Sequence, residues 1–157
     1  MKSWSLADFE QMSWHDVHVH GFRVVEGEHG TGELILDIDY ILEWLKGEKG
    51  FQFRIAPALL QFHQMSNLRF SLDYAKPTAG IVPFSLNGIK REPISHATGH
   101  NSFRWELEIN WPDGALSFES PGFTQSLRAP ECVTANQRLL PTERGEELRL
   151  DLVYELN

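Results

Sequence analysis

Side chains that can bind a metal ion occupy every second position in one short stretch of the sequence, WHDVHVHG at residues 14–21. In a β-strand, Asp16, His18 and His20 share one face, because successive side chains alternate between the two faces. Neutral imidazole and carboxylate together are a common ligand set for zinc, iron and nickel. The pattern therefore gives the hypothesis of a divalent metal site, such as a zinc site, in which the two histidines chelate the ion.

The opposite face of the same strand carries Val17 and Val19 together with His15. Valines between polar positions are typical of a strand whose other face packs on a core. One strand cannot easily supply all the ligands, so a further ligand has to come from elsewhere in the chain. The candidates are Glu106, Asp37 and His100. The simpler interpretation is that the histidines are solvated or hydrogen-bonded to neighbouring strands, and the sequence favours this structural role without a cofactor.

A second pair of acidic side chains lies in the run ELILDIDYILEWL, residues 33–45. Apolar residues recur there with a period of two, which predicts a long strand with one buried face, with a short helix from Ile41 as the alternative for its tail. The residues predicted on that face are Leu34, Leu36, Ile38, Tyr40, Leu42 and Trp44. Asp37 and Asp39 share the opposite face, where paired carboxylates can serve acid–base chemistry or bind a metal. The alternation favours a plainer role, the polar side of a half-buried sheet.

Residues 75–102 are the least regular part of the sequence. The pair Asn87-Gly88 is typical of a hairpin turn, and a short strand is predicted after it at residues 89–94. His96 and His100 follow in a loop that could supply a distant metal ligand. An exposed flexible loop is the favoured interpretation.

The rest of the chain also indicates strands. An N-terminal helix, capped by Ser5 with Asp8, is predicted to pack Leu6, Phe9 and Met12 on the body. The first further strand is predicted to run from residue 14 to about 25. Two more are predicted over 51–64, with Pro57 at an edge or bulge, and over 68–74, after a break at 65–67. A hairpin is predicted over 103–120, and two last strands over 123–128 and 147–156. The predicted fold is all-β and mainly antiparallel: a curved sheet, a sandwich or a partly open barrel with a short N-terminal helix.

Composition limits the functional classes. The chain has 157 residues, enough for one domain over residues 1–157. Its formal net charge of −8 argues against nucleic-acid binding and favours a basic protein partner. The single cysteine, Cys132, excludes an internal disulfide and suits a cytoplasmic protein. No signal peptide and no apolar run of membrane-spanning length is present, so no membrane association is expected.

The order of motifs over residues 14–73 resembles a known group of proteins. His15-Asp16 is followed by ELILDIDYIL and then by LLQFHQMSNLRFSL. This order is similar to that of small bacterial β-proteins of the immunity protein 50 type, which belong to polymorphic toxin systems. The resemblance implies a cytoplasmic, non-enzymatic protein that binds and neutralises a toxin.

Three functions are consistent with the sequence. The leading hypothesis is a non-enzymatic soluble binding protein of the toxin-neutralising immunity type, because no nucleophile motif such as G-x-S-x-G is present. The second is a small metal-binding enzyme that uses Asp16, His18 and His20. The third is a small-molecule binder that uses the interior of a curved sheet. The oligomeric state is left open.

Overall fold

The computed structural model describes residues 2–75 and 80–145 of the chain. Within these ranges the backbone forms nine strands: β1 Ser3–Ser5, β2 His18–Glu26, β3 Gly32–Gly47, β4 Gly50–Asp73, β5 Phe84–Ser95, β6 Asn101–Trp111, β7 Asp113–Ser120, β8 Gly122–Leu127 and β9 Cys132–Thr134. Two short 3-10 helices span Leu6–Gln11 and Pro141–Glu143. No helix in the described ranges is long and apolar enough to cross a membrane.

The strands pair antiparallel in the order β1, β8, β4, β3, β2, β5, β6 and β7, and β7 pairs in turn with β4. β4 takes part twice because it is 24 residues long and bends where Gln64 and Asn67 adopt positive φ angles, 46° and 54°. Residues 50–65 pair with β3, β8 and β9, and residues 66–73 pair with β7. The predicted all-β, antiparallel curved sheet is confirmed. The break predicted at residues 65–67 is wrong, since the chain bends there inside one continuous strand.

The main hydrophobic core lies on the inner face of this curved sheet. Strand β3 contributes Leu34, Leu36, Ile38 and Tyr40, as the alternation predicts. Val17 and Val19 are also buried in this core, as predicted for WHDVHVHG, whereas His15, predicted on the same face, is exposed because it precedes strand β2. The largest fully buried side chains are Trp105, Phe62 and Phe118.

The N-terminal helix is present, but as a 3-10 helix over Leu6–Gln11. The backbone N–H of Ser5 donates to the Asp8 carboxylate at 2.8 Å, in line with the predicted cap. Leu6, Phe9 and Met12 pack against the main core, as the sequence indicates. This helix therefore covers one end of the sheet.

The hairpin turn predicted at Asn87-Gly88 is wrong. These residues lie inside β5, at a register shift between Leu86 and Gly88, which is a bulge rather than a turn. The strand continues because the backbone of Leu86 exchanges two hydrogen bonds of 2.8 Å with residues 16 and 17. The hairpin predicted over 103–120 is confirmed by the pairing of β6 with β7. The strand predicted at 147–156 lies outside the described residues.

Residues 128–145, which we call the covering segment, pair with the edge of β4 at β9 and then pass over the outer face of β3, where Leu139 and Arg144 contact Asp39. The segment begins where Pro57 interrupts the sheet edge, because β4 pairs with β8 up to Ala58 and with β9 from Ile55. The carbonyl of Pro57 accepts a hydrogen bond from the Arg128 N–H at 2.9 Å. Leu139 is buried in a second, small apolar cluster on this face with Ile41, Phe53 and Ile55.

Candidate functional site

Asp39 of β3 is the most deeply buried charged residue on the outer face, with 0% exposure. One of its carboxylate oxygens, Oδ1, accepts a hydrogen bond from Arg144 Nη1. The other, Oδ2, accepts from the Leu139 backbone N–H at 2.9 Å and lies 2.6 Å from His20 Nε2. A buried carboxylate is stable only with such partners, and here both oxygens have them.

Asp37 shares Arg144 with Asp39. Its Oδ1 lies 2.5 Å from Arg144 Nη2 and 3.3 Å from Arg128 Nε. Because Asp37 is 9% exposed and Arg144 is 7% exposed, the guanidinium joins two carboxylates almost out of contact with water. We call Asp37, Asp39, Arg128, Arg144 and His20 the ion cluster. The plainer expectation for Asp37 and Asp39, the polar side of a half-buried sheet, is wrong because the covering segment brings two arginines over them and both carboxylates are buried.

Local backbone geometry places His20 against Asp39. In the pairing of β2 with β3, Val19 lies opposite Ile38 and Gly21 lies opposite Asp37. His20 is therefore an extra residue without a partner, which is a β-bulge. A turn within the covering segment helps to place Arg144, because the N–H of Arg144 donates to the Leu140 carbonyl at 3.2 Å.

The protonation states follow from burial and the arginine charges. Burial, followed by the charge of Arg144, lowers the pKa of His20 to about 4, so that the ring is neutral at pH 7. An ionised carboxylate only accepts hydrogen bonds, so His20 carries its proton on Nε2 and donates it to Asp39. Burial also lowers the pKa of Arg144, yet arginine remains charged.

His18 faces outward opposite Asp39 in the register of β2 and β3. Burial, followed by the charge of Arg138, lowers its pKa, against the smaller raising effect of hydrogen bonds to the backbone of Gln137 and Asp16. His18 therefore borders the ion cluster as a neutral ring.

Asp16 does not share a strand face with His18 and His20. Strand β2 begins at His18, and Asp16 precedes it in a turn with a φ of 61°. Its carboxylate accepts from Asn110 Nδ2 at 3.1 Å and from Gln137 Nε2 at 2.9 Å. The predicted face with three metal ligands in one strand is therefore wrong in its geometry, because the strand starts after Asp16.

The remaining candidates lie apart from the ion cluster. His96 and His100 form the loop between β5 and β6, with ring centroids 6.0 Å apart, and His96 Nε2 lies 3.8 Å from Glu119. Glu106 pairs with Lys90 and Ser117 in the register of β6. Within residues 2–75 and 80–145, no group of three or more His, Cys, Asp or Glu side chains could hold a metal ion. The metal role of Asp16, His18 and His20 stays a prediction.

The far end of the same outer face is aromatic and exposed. Trp44 and Phe51 are 41% and 51% exposed, and their ring centroids lie 5.8 Å apart. Trp44 also packs edge-on against the buried Phe53, with ring centroids 4.9 Å apart, and stacks on His15, with ring centroids 6.0 Å apart. We call His15, Trp44 and Phe51 the hairpin-tip patch.

The sequence placed Trp44 on the buried face of β3, and this is wrong. The register of β3 with β4 shifts between Ile41 and Glu43, so Leu42 is the extra residue of a bulge. A one-residue shift exchanges the two faces of a strand, and the shift turns Trp44 outward. The earlier residues of the strand keep the predicted alternation.

Sequence reasoning also missed Arg128, Arg144 and the Leu139 backbone N–H as members of the site. A usable signal was present, because three arginines, Arg128, Arg138 and Arg144, lie in a region without strand periodicity. Paired carboxylates on an otherwise apolar strand need cationic partners if they are buried. No family model, curated protein or solved structure matches this chain.

Proposed function

We propose that the chain is a non-enzymatic binding protein that engages a protein partner through the hairpin-tip patch. One observation carries this proposal. The covering segment lies over the charged end of the outer face, at Asp37 and Asp39, and leaves Trp44 and Phe51 uncovered at the other end.

The energetics of the patch support a binding role. A Trp or Phe side chain can bury about 150–250 Å². At about 25 cal/mol per Å², covering the exposed half of each ring stabilises by roughly 2 kcal/mol. Exposed tryptophans packed against a rigid neighbour are typical of the residues that dominate binding energy in protein interfaces. Trp44 has such a support in the buried Phe53.

The ion cluster supports a non-enzymatic role for the titratable residues. Asp39 has its oxygens engaged by Arg144, Leu139 and His20. These contacts join the covering segment to β2 and β3, which is a structural task. In this proposal Asp16, His18 and His20 hold the fold, and the hairpin-tip patch, which includes His15, binds the partner.

The partner's chemistry follows from the charge of the chain. With a net charge of −8, the protein attracts basic proteins by electrostatic steering. The resemblance to the immunity protein 50 type covers residues 14–73, a range that includes His15, Trp44 and Phe51. We therefore propose a basic toxin as the partner, neutralised by occlusion of its surface.

The experiment identifies the partner by crosslinking in cells that produce this chain, and then measures its affinity for purified variants. Trp44→Ala and Phe51→Ala are each expected to weaken binding by about 30-fold or more, since residues of this kind contribute about 2 kcal/mol. Val133→Ala is the matched control, because Val133 is also about half exposed, at 55%, but lies outside the patch. A partner that binds both aromatic variants as tightly as the native chain would contradict the proposal.

A further inference from the structure

A cavity of about 750 Å³ lies between the N-terminal 3-10 helix and strand β5. Phe9 and Glu10 line it from the helix, and residues 89–93 line it from the strand. Phe103 and Trp105 of β6 add two aromatic rings. We call this cavity the β5 groove. It is formed by elements other than the β3–β4 hairpin that carries the hairpin-tip patch.

The strand edge that borders the groove has no neighbouring strand within the described residues. β5 pairs with β2 only at Phe84 and Ser85, and its other partner is β6. The bond from the His96 N–H to the His100 carbonyl, 3.0 Å, fixes which residues of β5 bond to β6. Antiparallel pairs alternate, so even-numbered residues from 88 to 94 bond to β6.

The odd-numbered residues therefore turn their backbone groups toward the groove. Ile89 and Arg91 present both N–H and C=O groups, whereas Pro93 presents only its C=O. A row of such groups at a regular spacing matches the backbone of an extended chain, which can add to a sheet as a further strand. A helix or a compact small molecule does not have this spacing of partners.

Arg91 adds a charge at the centre of the row. Its guanidinium carbon lies 4.3 Å from the ring centroid of Phe9 and 4.7 Å from that of Phe103. Its side chain is 20% exposed, and its acidic partner Glu10, at 3.2 Å, is 81% exposed. Ion pairs in which one side chain is as exposed as Glu10 contribute little free energy. A carboxylate delivered by a ligand can replace Glu10 and bond the guanidinium in a bidentate manner.

We propose that the β5 groove binds an extended acidic peptide segment of a protein partner, which pairs with residues 89–93 as an added strand. A carboxylate side chain of the segment bonds Arg91, and an apolar side chain on the same face contacts Phe9 and Phe103. The site goes beyond the proposed function, because it uses none of the hairpin-tip residues.

The test uses the full chain, labelled with ¹⁵N, and a pool of capped nonapeptides. Each peptide has a central glutamate and mixed apolar residues at alternating positions. Two control pools replace the glutamate by glutamine or methylate alternate backbone nitrogens. The glutamate pool is expected to shift the amide signals of Ile89 and Arg91 and to bind about 10-fold more tightly than either control pool. No binding, or equal binding of all three pools, would overturn the proposal.

Variants test the charge of Arg91 separately from the stability of the fold. Glu10→Gln frees Arg91 at an exposed position and is expected to tighten glutamate-pool binding by about 2- to 5-fold. Arg91→Gln is expected to remove the preference for glutamate, whereas Arg54→Gln, on a partly exposed arginine of β4 that does not line the groove, is expected to keep it. Weaker binding by Glu10→Gln would refute the role of Arg91 without involving the fold. The Trp44→Ala variant is expected to bind the peptides like the native chain, which keeps this test separate from that of the hairpin-tip patch.

Discussion

The outer face of the β3–β4 hairpin carries a charged region that is buried and an aromatic region that is exposed. At one end, Asp37 and Asp39 are 9% and 0% exposed beneath the covering segment. At the other end, Trp44 and Phe51 are 41% and 51% exposed. Hydrophobic burial alone favours the opposite arrangement, because removing carboxylates from water costs free energy and removing aromatic rings gains it. Burial on this face is therefore decided by what the covering segment brings to it, rather than by the polarity of the strands.

The largest expected effect is on the charged end. Asp39→Ala removes the acceptor of Arg144, Leu139 and His20, and leaves a buried guanidinium with one of its two carboxylates. We expect the free energy of unfolding, measured in urea, to fall by about 3–5 kcal/mol.

The matched control is Glu43→Ala on the same strand. Glu43 pairs with Arg54 at 2.7 Å, but the two side chains are 50% and 41% exposed. Its loss is expected to cost less than about 1 kcal/mol, as for other exposed ion pairs. Equal losses for Asp39→Ala and Glu43→Ala would remove the distinction between the buried cluster and the surface.

An intermediate effect is expected from acid. The pKa of His20 is about 4 in the folded chain, below the ordinary value of 6.5. Between these values the unfolded chain binds a proton that the folded chain does not, so stability is fully present above pH 6.5 and is lost as the pH falls toward 4. We expect a loss of roughly 2–3 kcal/mol over this range in urea unfolding.

His20→Gln provides the comparison for this titration. Glutamine can still donate a hydrogen bond to Asp39 but does not titrate. The variant is expected to lose clearly less stability between pH 6.5 and pH 4 than the native chain. Parallel losses in the two proteins would show that His20 does not take part.

The smallest effect is expected at the aromatic end. Phe51→Ala should lower the free energy of unfolding by no more than about 1 kcal/mol, because the ring is half exposed. Phe53→Ala, two residues away on the same face, should cost about 3–5 kcal/mol, because Phe53 is 6% exposed. A loss for Phe51→Ala close to that of Phe53→Ala would mean that the patch serves the fold rather than binding.

Local periodicity predicted the inner face of the sheet well. The alternation of Leu34, Leu36 and Ile38 identified core positions, because each strand needs only its own side chains to define its faces. The same alternation failed at Trp44, since a bulge leaves no mark in the pattern of apolar residues.

Only part of the candidate site could be predicted from the sequence. His18, His20, Asp37 and Asp39 were identified from their types and spacing, whereas their arginine partners were not. Asp39 and Arg144 are 105 positions apart, and Arg144 lies in a segment without periodicity. Such a contact depends on how the whole sheet curves, which no local pattern contains.

The attachment of the covering segment depends above all on the pair of Asp39 and Arg144. A double-mutant cycle with Asp39→Ala, Arg144→Ala and the combined variant measures that pair directly in urea unfolding. We expect the double variant to be less destabilised than the sum of the single variants by about 2 kcal/mol or more, as for directly paired buried groups. Additivity within about 0.5 kcal/mol would contradict the pairing and, with it, the structural role of the ion cluster.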